Sequence, residues 1–284
     1  MMNRRNDPVP TSILDNELVE AMKIFETPKF MITKDANGEP NSSLIMTWTV
    51  YEGNTLVYGD FLSEKTRMNL NAGNNEMAIM VFTMGLDSWL IKADFESFHW
   101  NDEIYEFIAQ TPLFRYNQYT NARGAGVAEA ISSSDKYGIS KPAVLSAYLK
   151  TKLAKGKVPI VETTEGNMPK NIFDVFSQMA AVKVLAFIDE DGYPAAFPEF
   201  GMLPVSPNTV VMKRSEEKRR GFSLRDGQRV AISLVSLAPA AFQMKGTFHE
   251  IDENNAYVAL DRVYACSLPI PGVRVDLPML TREE

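Results

Sequence analysis

The chain repeats itself. At a spacing of 154 residues, Leu18, Met22 and Phe25 meet Ile172, Phe176 and Met179. Asp35, Gly38 and Pro40 meet Asp189, Gly192 and Pro194, and Asn54, Thr55 and Val57 meet Asn208, Thr209 and Val211. Leu70 and Gly73 meet Leu224 and Gly227. With the spacing shortened by one, Ala78, Ile79, Lys92 and Phe95 meet Ala231, Ile232, Lys245 and Phe248. An offset that survives helix, turn and strand with one single-residue gap marks a duplicated unit. It restricts the fold to two similar domains, and 284 residues are enough for both.

Each unit reads as a helix followed by an antiparallel meander. In the first, Thr11 or Ser12 is the expected cap, and Leu14, Leu18, Ala21, Met22 and Phe25 share one helical face. Pro28 ends that helix. Strands are expected over 30–33, 42–51, 55–58, 76–83 and 89–100, with turns at 35–38 and 52–54. The almost wholly apolar run 76–83 suits a buried strand. The first unit is placed at 11–100 and the second at 168–280. Between them, 101–157 is expected to be a helical insert, with helices over 102–109, 121–131 and 142–155. The last has Pro142 at its start and Gly156 at its end. The run 158–163 is the candidate last strand of the first unit, matching 256–264 of the second.

Composition excludes several classes. Hydrophobic residues are 45% and charged residues 23%, ordinary for a soluble globular chain. The net charge of -7, with no long basic run, argues against a nucleic-acid partner. One cysteine, Cys266, leaves no internal disulfide, and with only His99 and His249 no metal site is expected. The first residues lack a signal-peptide core, and no run reaches the eighteen or so apolar residues of a membrane span. A cytoplasmic protein with no membrane partner is expected.

The stretch 54–70 carries the chemistry. A strand, Leu56 to Tyr58, breaks at Gly59 and Asp60 and opens into Ser63, Lys65, Thr66, Arg67 and Asn69. Hydroxyls and cations at a helix start can bind a phosphate, because the free N–H groups and the helix dipole favour an anion there. The competing reading is a solvated turn bearing two surface cations.

The strand and turn at 30–40 (FMITKDANGEP), followed by LVYGDF and SEKTRMNL with Lys65 and Asn69-Leu70 in a Lys-x-x-x-Asn-Leu spacing, resemble the FMN-binding split-barrel family of pyridoxamine 5'-phosphate oxidase-like proteins. The resemblance spans most of both halves. It implies a mainly β fold with helices, in which two tandem split β-barrels form an intramolecular pseudo-dimer with a helical insert. It further implies FMN at the cleft between the halves. The expected cofactor-binding set is Met46, Thr47, Asp60, Phe61, Ser63, Lys65, Thr66, Arg67, Asn69 and Gln243. No catalytic side chain is assigned. In the second copy Glu217 stands where the first has Ser63, and Gly221 where it has Arg67, which weakens that site without excluding it, so FMN is expected to load preferentially at the first loop.

Other signals are weaker. Gly124-Ala125-Gly126 follows no buried strand and opens no βαβ unit, so a dinucleotide site is not read there. Trp48, Trp89 and Trp100 read as core or interface residues, Cys266 as a small buried residue, and both histidines as structural. Three functions follow: an FMN-dependent oxidoreductase acting on a small-molecule substrate or electron donor, a non-catalytic flavin-, haem- or deazaflavin-binding protein, or a scaffold without cofactor. A monomeric pseudo-dimer or a homodimer is expected.

Overall fold

The computed structural model describes residues 12–24, 26–61, 63–112, 123–159, 166–236, 241–266 and 272–276. Its first half contains α1 (Asn16–Lys23), β1 (Lys29–Lys34), β2 (Pro40–Leu44), β3 (Thr49–Glu52), β4 (Thr55–Asp60), α2 (Glu64–Asn71), β5 (Glu76–Phe82) and β6 (Asp87–His99). Next come α3 (Glu103–Ala109), β7 (Gly124–Ser133), β8 (Tyr137–Gly138) and α4 (Lys141–Ala154). The second half contains α5 (Lys170–Phe176), β9 (Val182–Ile188), β10 (Pro194–Pro198), β11 (Leu203–Ser206), β12 (Thr209–Lys213) and α6 (Ser215–Arg219). It ends with β13 (Arg229–Val235), β14 (Ala241–Asp252), β15 (Asn255–Ala265) and β16 (Val273–Arg274).

The strands form two eight-stranded antiparallel sheets, so the chain is mainly β with helices. One runs β2-β1-β5-β6-β7-β4-β3, with β8 on β6. The other runs β10-β9-β13-β14-β15-β12-β11, with β16 on β15. Element for element the two orders are the same. In each sheet the two ends of the order are consecutive in the chain: residues 45–48 join β2 to β3, and 199–202 join β10 to β11. The sheet therefore curls back on itself, which is how a barrel removes its edges.

Several sequence expectations need correction here. The strand expected over 42–51 is two strands at opposite ends of the sheet order, because the chain crosses from one edge to the other at 45–48. Asp15, rather than Thr11 or Ser12, caps α1, accepting from the Leu18 N–H at 2.7 Å, and its other oxygen accepts from the Trp89 indole at 3.1 Å. The segment 121–131, expected to be a helix, holds most of central strand β7. The insert placed at 101–157 is thus not wholly helical. β7 fills the sheet position of β15, the place foreseen for 158–163; residues 160–163 lie outside the described set. The small residues that hid this strand are demanded by packing. A Cβ on Gly126 would lie 2.2 Å from the Tyr58 ring, and one on Gly124 would lie 2.6 Å from the His99 carbonyl. Glycine in a strand marks such close approaches.

The halves meet through reciprocal contacts. β2 packs on β9, β13 and β14, while β10 packs on β1, β5 and β6. Phe30, Ile32, Ala78, Met80 and Leu90 of the first sheet join the second sheet's core. Burying each of the larger side chains, Phe30, Ile32, Met80 and Leu90, is worth roughly 1.5–3 kcal/mol, which makes separating the halves costly. Two lysines related by the repeat close the contact: Lys92 reaches Asp189 at 2.8 Å and Asp191 at 2.6 Å, and Lys245 reaches Glu39 at 3.0 Å. A second related pair is internal. Lys29 donates to the Ile24 carbonyl at 2.9 Å, and Lys183 to the equivalent Gln178 carbonyl at 2.8 Å, each closing the chain just beyond its helix. Burial lowers both ammonium groups to about 8.

Candidate functional site: an apolar cleft between the halves

A cleft of about 630 Å³ opens where β2 and the start of α2 face β13, β14 and the end of β15. That volume lies within the range of small-molecule sites. Its walls are largely apolar, with Leu44, Ile45, Met46, Phe61, Val235 and Phe242 among them, and Thr47, Ser63, Lys65 and Gln243 supply the polar groups. Among the described residues no histidine lines it.

Of the ten residues expected from the sequence, Met46, Thr47, Phe61, Ser63, Lys65 and Gln243 line this cleft. Thr47 bridges its floor, its hydroxyl accepting from the Gly59 N–H at 3.1 Å. Gln243 donates across the halves to the Ser42 carbonyl. Ser63 is the N-cap of α2, and its hydroxyl makes no capping bond. Lys65 lies in the first turn, 5.7 Å from the Tyr264 ring centroid. The other four are committed elsewhere. Arg67 pairs with buried Asp60 and lies 4.3 Å from the Phe98 ring centroid. Burial raises Asp60 from its ordinary carboxylate value against the pull of Arg67. Thr66 is buried between Asn41 (3.2 Å) and Ser43 (3.0 Å), and Asn69 donates to Thr33 at 2.9 Å. These four brace the loop from behind rather than facing the cleft.

A cationic cluster beside Lys65 was missed from the sequence. Glu39, in the first hairpin, is held by Arg229 at 2.7 Å, by Lys245 at 3.0 Å and by Arg262. Burial opposes its charge, but the hydrogen bonds of Arg262 and Arg229 and the charge of Lys245 prevail and hold Glu39 down to about 2. Lys245 is fully buried. Desolvation and then Lys65, its cationic neighbour, push it down to about 7 against the pull of Glu39. One ammonium pressed against another is a place where a bound anion relieves repulsion. The signal available in the sequence was the repeat match of Lys245 with Lys92.

Cys266 also lines the cleft, but burial raises its thiol to about 11, so it stays protonated at neutral pH.

The equivalent position in the second half is occupied by side chains. Phe200 stands at the repeat position of Met46 and packs against Phe82 at 5.5 Å, with Ile139 and Val144 around them. Arg220 reaches across to the Ser88 hydroxyl at 2.8 Å. α4 lies so close over this end that a Cβ on Gly201 would be 3.1 Å from Ala147. The loop is self-satisfied as well. Arg214 stands where the first copy has Asp60, and it grips Glu217, which stands where the first copy has Ser63. A protein carboxylate thus stands in the second loop where the first has the Ser63 hydroxyl.

Glu199, fully buried in the same region, is pushed up to about 8 by desolvation, and one of its oxygens has no partner among the described residues. Its folded-state value exceeds its unfolded one. The folded chain therefore binds the extra proton between about pH 4.5 and 8, and stability falls as pH rises through that window. Glu199→Gln is expected to remove this slope, as read from denaturation midpoints across that range.

No family model and no curated protein matches this chain. Solved structures do. An FMN-binding protein from Syntrophomonas wolfei subsp. wolfei is 17% identical, with 45% of this chain and 92% of that one covered at a TM-score of 0.38. HutZ, the haem storage protein from Vibrio cholerae, is 14% identical over 44% of this chain and 91% of its own, TM-score 0.34. A Clostridium acetobutylicum protein of the pyridoxinephosphate oxidase family is 12% identical over 44% and 91%, TM-score 0.34. Each similarity takes in nearly the whole of the other chain and less than half of this one.

Proposed function

We propose that the chain is a duplicated split barrel that binds one FMN in the cleft between its halves and serves as a flavin-dependent oxidoreductase. The observation that carries this reading is Lys65. It stands at the mouth of α2 beside Ser63, with no carboxylate paired to it among the described residues, at one end of an apolar slot formed by both halves. In this reading Lys65 and the Ser63 hydroxyl hold the phosphate, with the buried Lys245 ammonium behind Lys65 adding its charge. Met46, Phe61, Val235 and Phe242 exclude water from the ring, while Thr47 and Gln243 offer polar groups at its edge. FMN, when bound, supplies one- and two-electron transfer. The residues here bind and orient it, and no side-chain acid or base is needed for that task.

The absorption spectrum of the purified chain, and of the chain titrated with FMN, tests the proposal. Flavin bands and a stoichiometry of one per chain are expected, because the second position is filled by Phe200 and its neighbours. Two equal and independent sites would contradict the asymmetry. A Soret band or a deazaflavin spectrum would move the protein to the binding-protein reading, and a colourless chain that takes up no FMN would favour the scaffold. Turnover with a reduced nicotinamide donor then separates enzyme from carrier.

A further inference from the structure

α4 presents two unlike faces. Its inner face, with Thr151 and Ala154 buried, packs against β11 and β12. On the other side Leu145, Leu149 and Leu153 are 47%, 52% and 84% exposed, and their spacing of four residues sets them in one row. Exposed lysines flank that row. With each residue turning about 100° around the axis, Lys141 and Lys152 project to one side of the leucines and Lys150 to the other. From 141 to 157 there are five lysines and no acidic residue, in a chain whose net charge is -7.

We propose that this face of α4 docks on an anionic lipid bilayer, with the helix lying in the plane of the surface. The leucine row enters the boundary between headgroups and acyl chains, and the lysine stems reach up to the headgroup phosphates on both flanks. The composition of the face distinguishes lipid from protein. Protein interfaces are depleted in lysine, and leucine is under-represented among their hot spots, where Trp, Tyr and Arg dominate. The exposed leucine row carries no aromatic residue and no arginine; Tyr148, on the flank, is half-buried with its ring 4.9 Å from the Lys152 ammonium and its hydroxyl donating to the Ser177 carbonyl at 3.2 Å. A second copy of this helix would set lysine against lysine. The inference is independent of the cleft, and it concerns a surface contact; among the described residues no helix is long and apolar enough to cross a membrane.

The test is co-sedimentation of the full chain with vesicles of equal parts phosphatidylglycerol and phosphatidylcholine, beside vesicles of phosphatidylcholine alone. Binding to the mixed vesicles that weakens with added salt is expected, with little on the neutral ones. Leu149→Glu with Leu153→Glu should reduce binding on the order of tenfold or more, and Lys150→Glu with Lys152→Glu should do the same. All four positions are exposed, so thermal midpoints should stay with the parent, and the two variants check each other if one folds poorly. Equal binding to both vesicle types, no binding to the anionic ones, or binding indifferent to both variants overturns the proposal. If light scattering shows a dimer that the leucine variant breaks, the occupant is a second copy and the lipid reading falls.

Discussion

Lys65→Ala is expected to weaken FMN binding by about tenfold to a hundredfold and to leave riboflavin binding almost unchanged. A charge-assisted hydrogen bond to phosphate is worth roughly 1.5–3 kcal/mol, and about 1.4 kcal/mol is a factor of ten in affinity. Riboflavin lacks the phosphate, so it isolates that contact from ring packing. Among the described residues Lys65 makes no ion pair that its loss would break, so thermal stability should hardly move. pH adds a second readout. Desolvation and the neighbouring Lys65 push the buried Lys245 ammonium down to about 7, and a phosphate held at Lys65 favours its charged form. FMN affinity is therefore expected to rise as the phosphate loses its second proton near about pH 6 and to fall above about pH 7, with riboflavin flat throughout. In Lys65→Ala the like-charged neighbour is gone, so the decline should begin at higher pH. Equal affinities of parent and variant for both ligands would remove the loop as a phosphate site.

The largest stability effect is expected from Arg214→Ala, a loss of about 3–5 kcal/mol in denaturant unfolding. Arg214 grips Glu217 through two nitrogens, at 2.9 and 2.7 Å, and the Glu217 side chain is only 1% exposed. Glu217 also accepts from the Leu224 N–H at 2.8 Å, and Arg214 donates to the Leu224 carbonyl at 3.1 Å. Removing the guanidinium leaves a carboxylate buried without its counter-charge, and that penalty exceeds the net worth of the pair. Arg214→Met with Glu217→Leu should recover much of the loss, since an apolar pair of similar volume is often tolerated. If the single variant loses less than about 1 kcal/mol, Glu217 must find water or another cation, and the second loop is more open than described.

The mainly β character, the matching element order of the two halves and most elements were legible because periodicity and turns are local signals: Asp35 and Gly38, for instance, form a hairpin turn whose Gly38 has a φ of 76°. What escaped were features fixed by distant contacts. Gly124 and Gly126 read as anything but a central strand, since Tyr58 and His99, which require their small size, lie outside any local window of sequence. The residues of the 63–69 loop were visible, but not their direction. Burial turns Thr66 and Asn69 inward, and Asp60 claims Arg67, leaving Ser63 and Lys65 toward the cleft. The Glu39 cluster joins residues almost the full chain apart, and no window of sequence holds Glu39, Arg229, Lys245 and Arg262 together.

The two halves of the sheet pair belong to one polypeptide, and that changes what mutation can do to them. In a homodimer the two-fold axis copies every substitution into both clefts, so a residue that fills one fills the other and the ligand is lost twice. Here each position is inherited separately. Phe200 and Glu217 can close one cleft while Met46 and Ser63 keep the other open. Covalent linkage also holds the halves at a fixed ratio and a high effective concentration, so dilution cannot part them. Under the proposed function the filled position is free to serve as ballast, accumulating stabilising contacts at no cost to FMN, while the open cleft keeps Lys65 and its unfilled space.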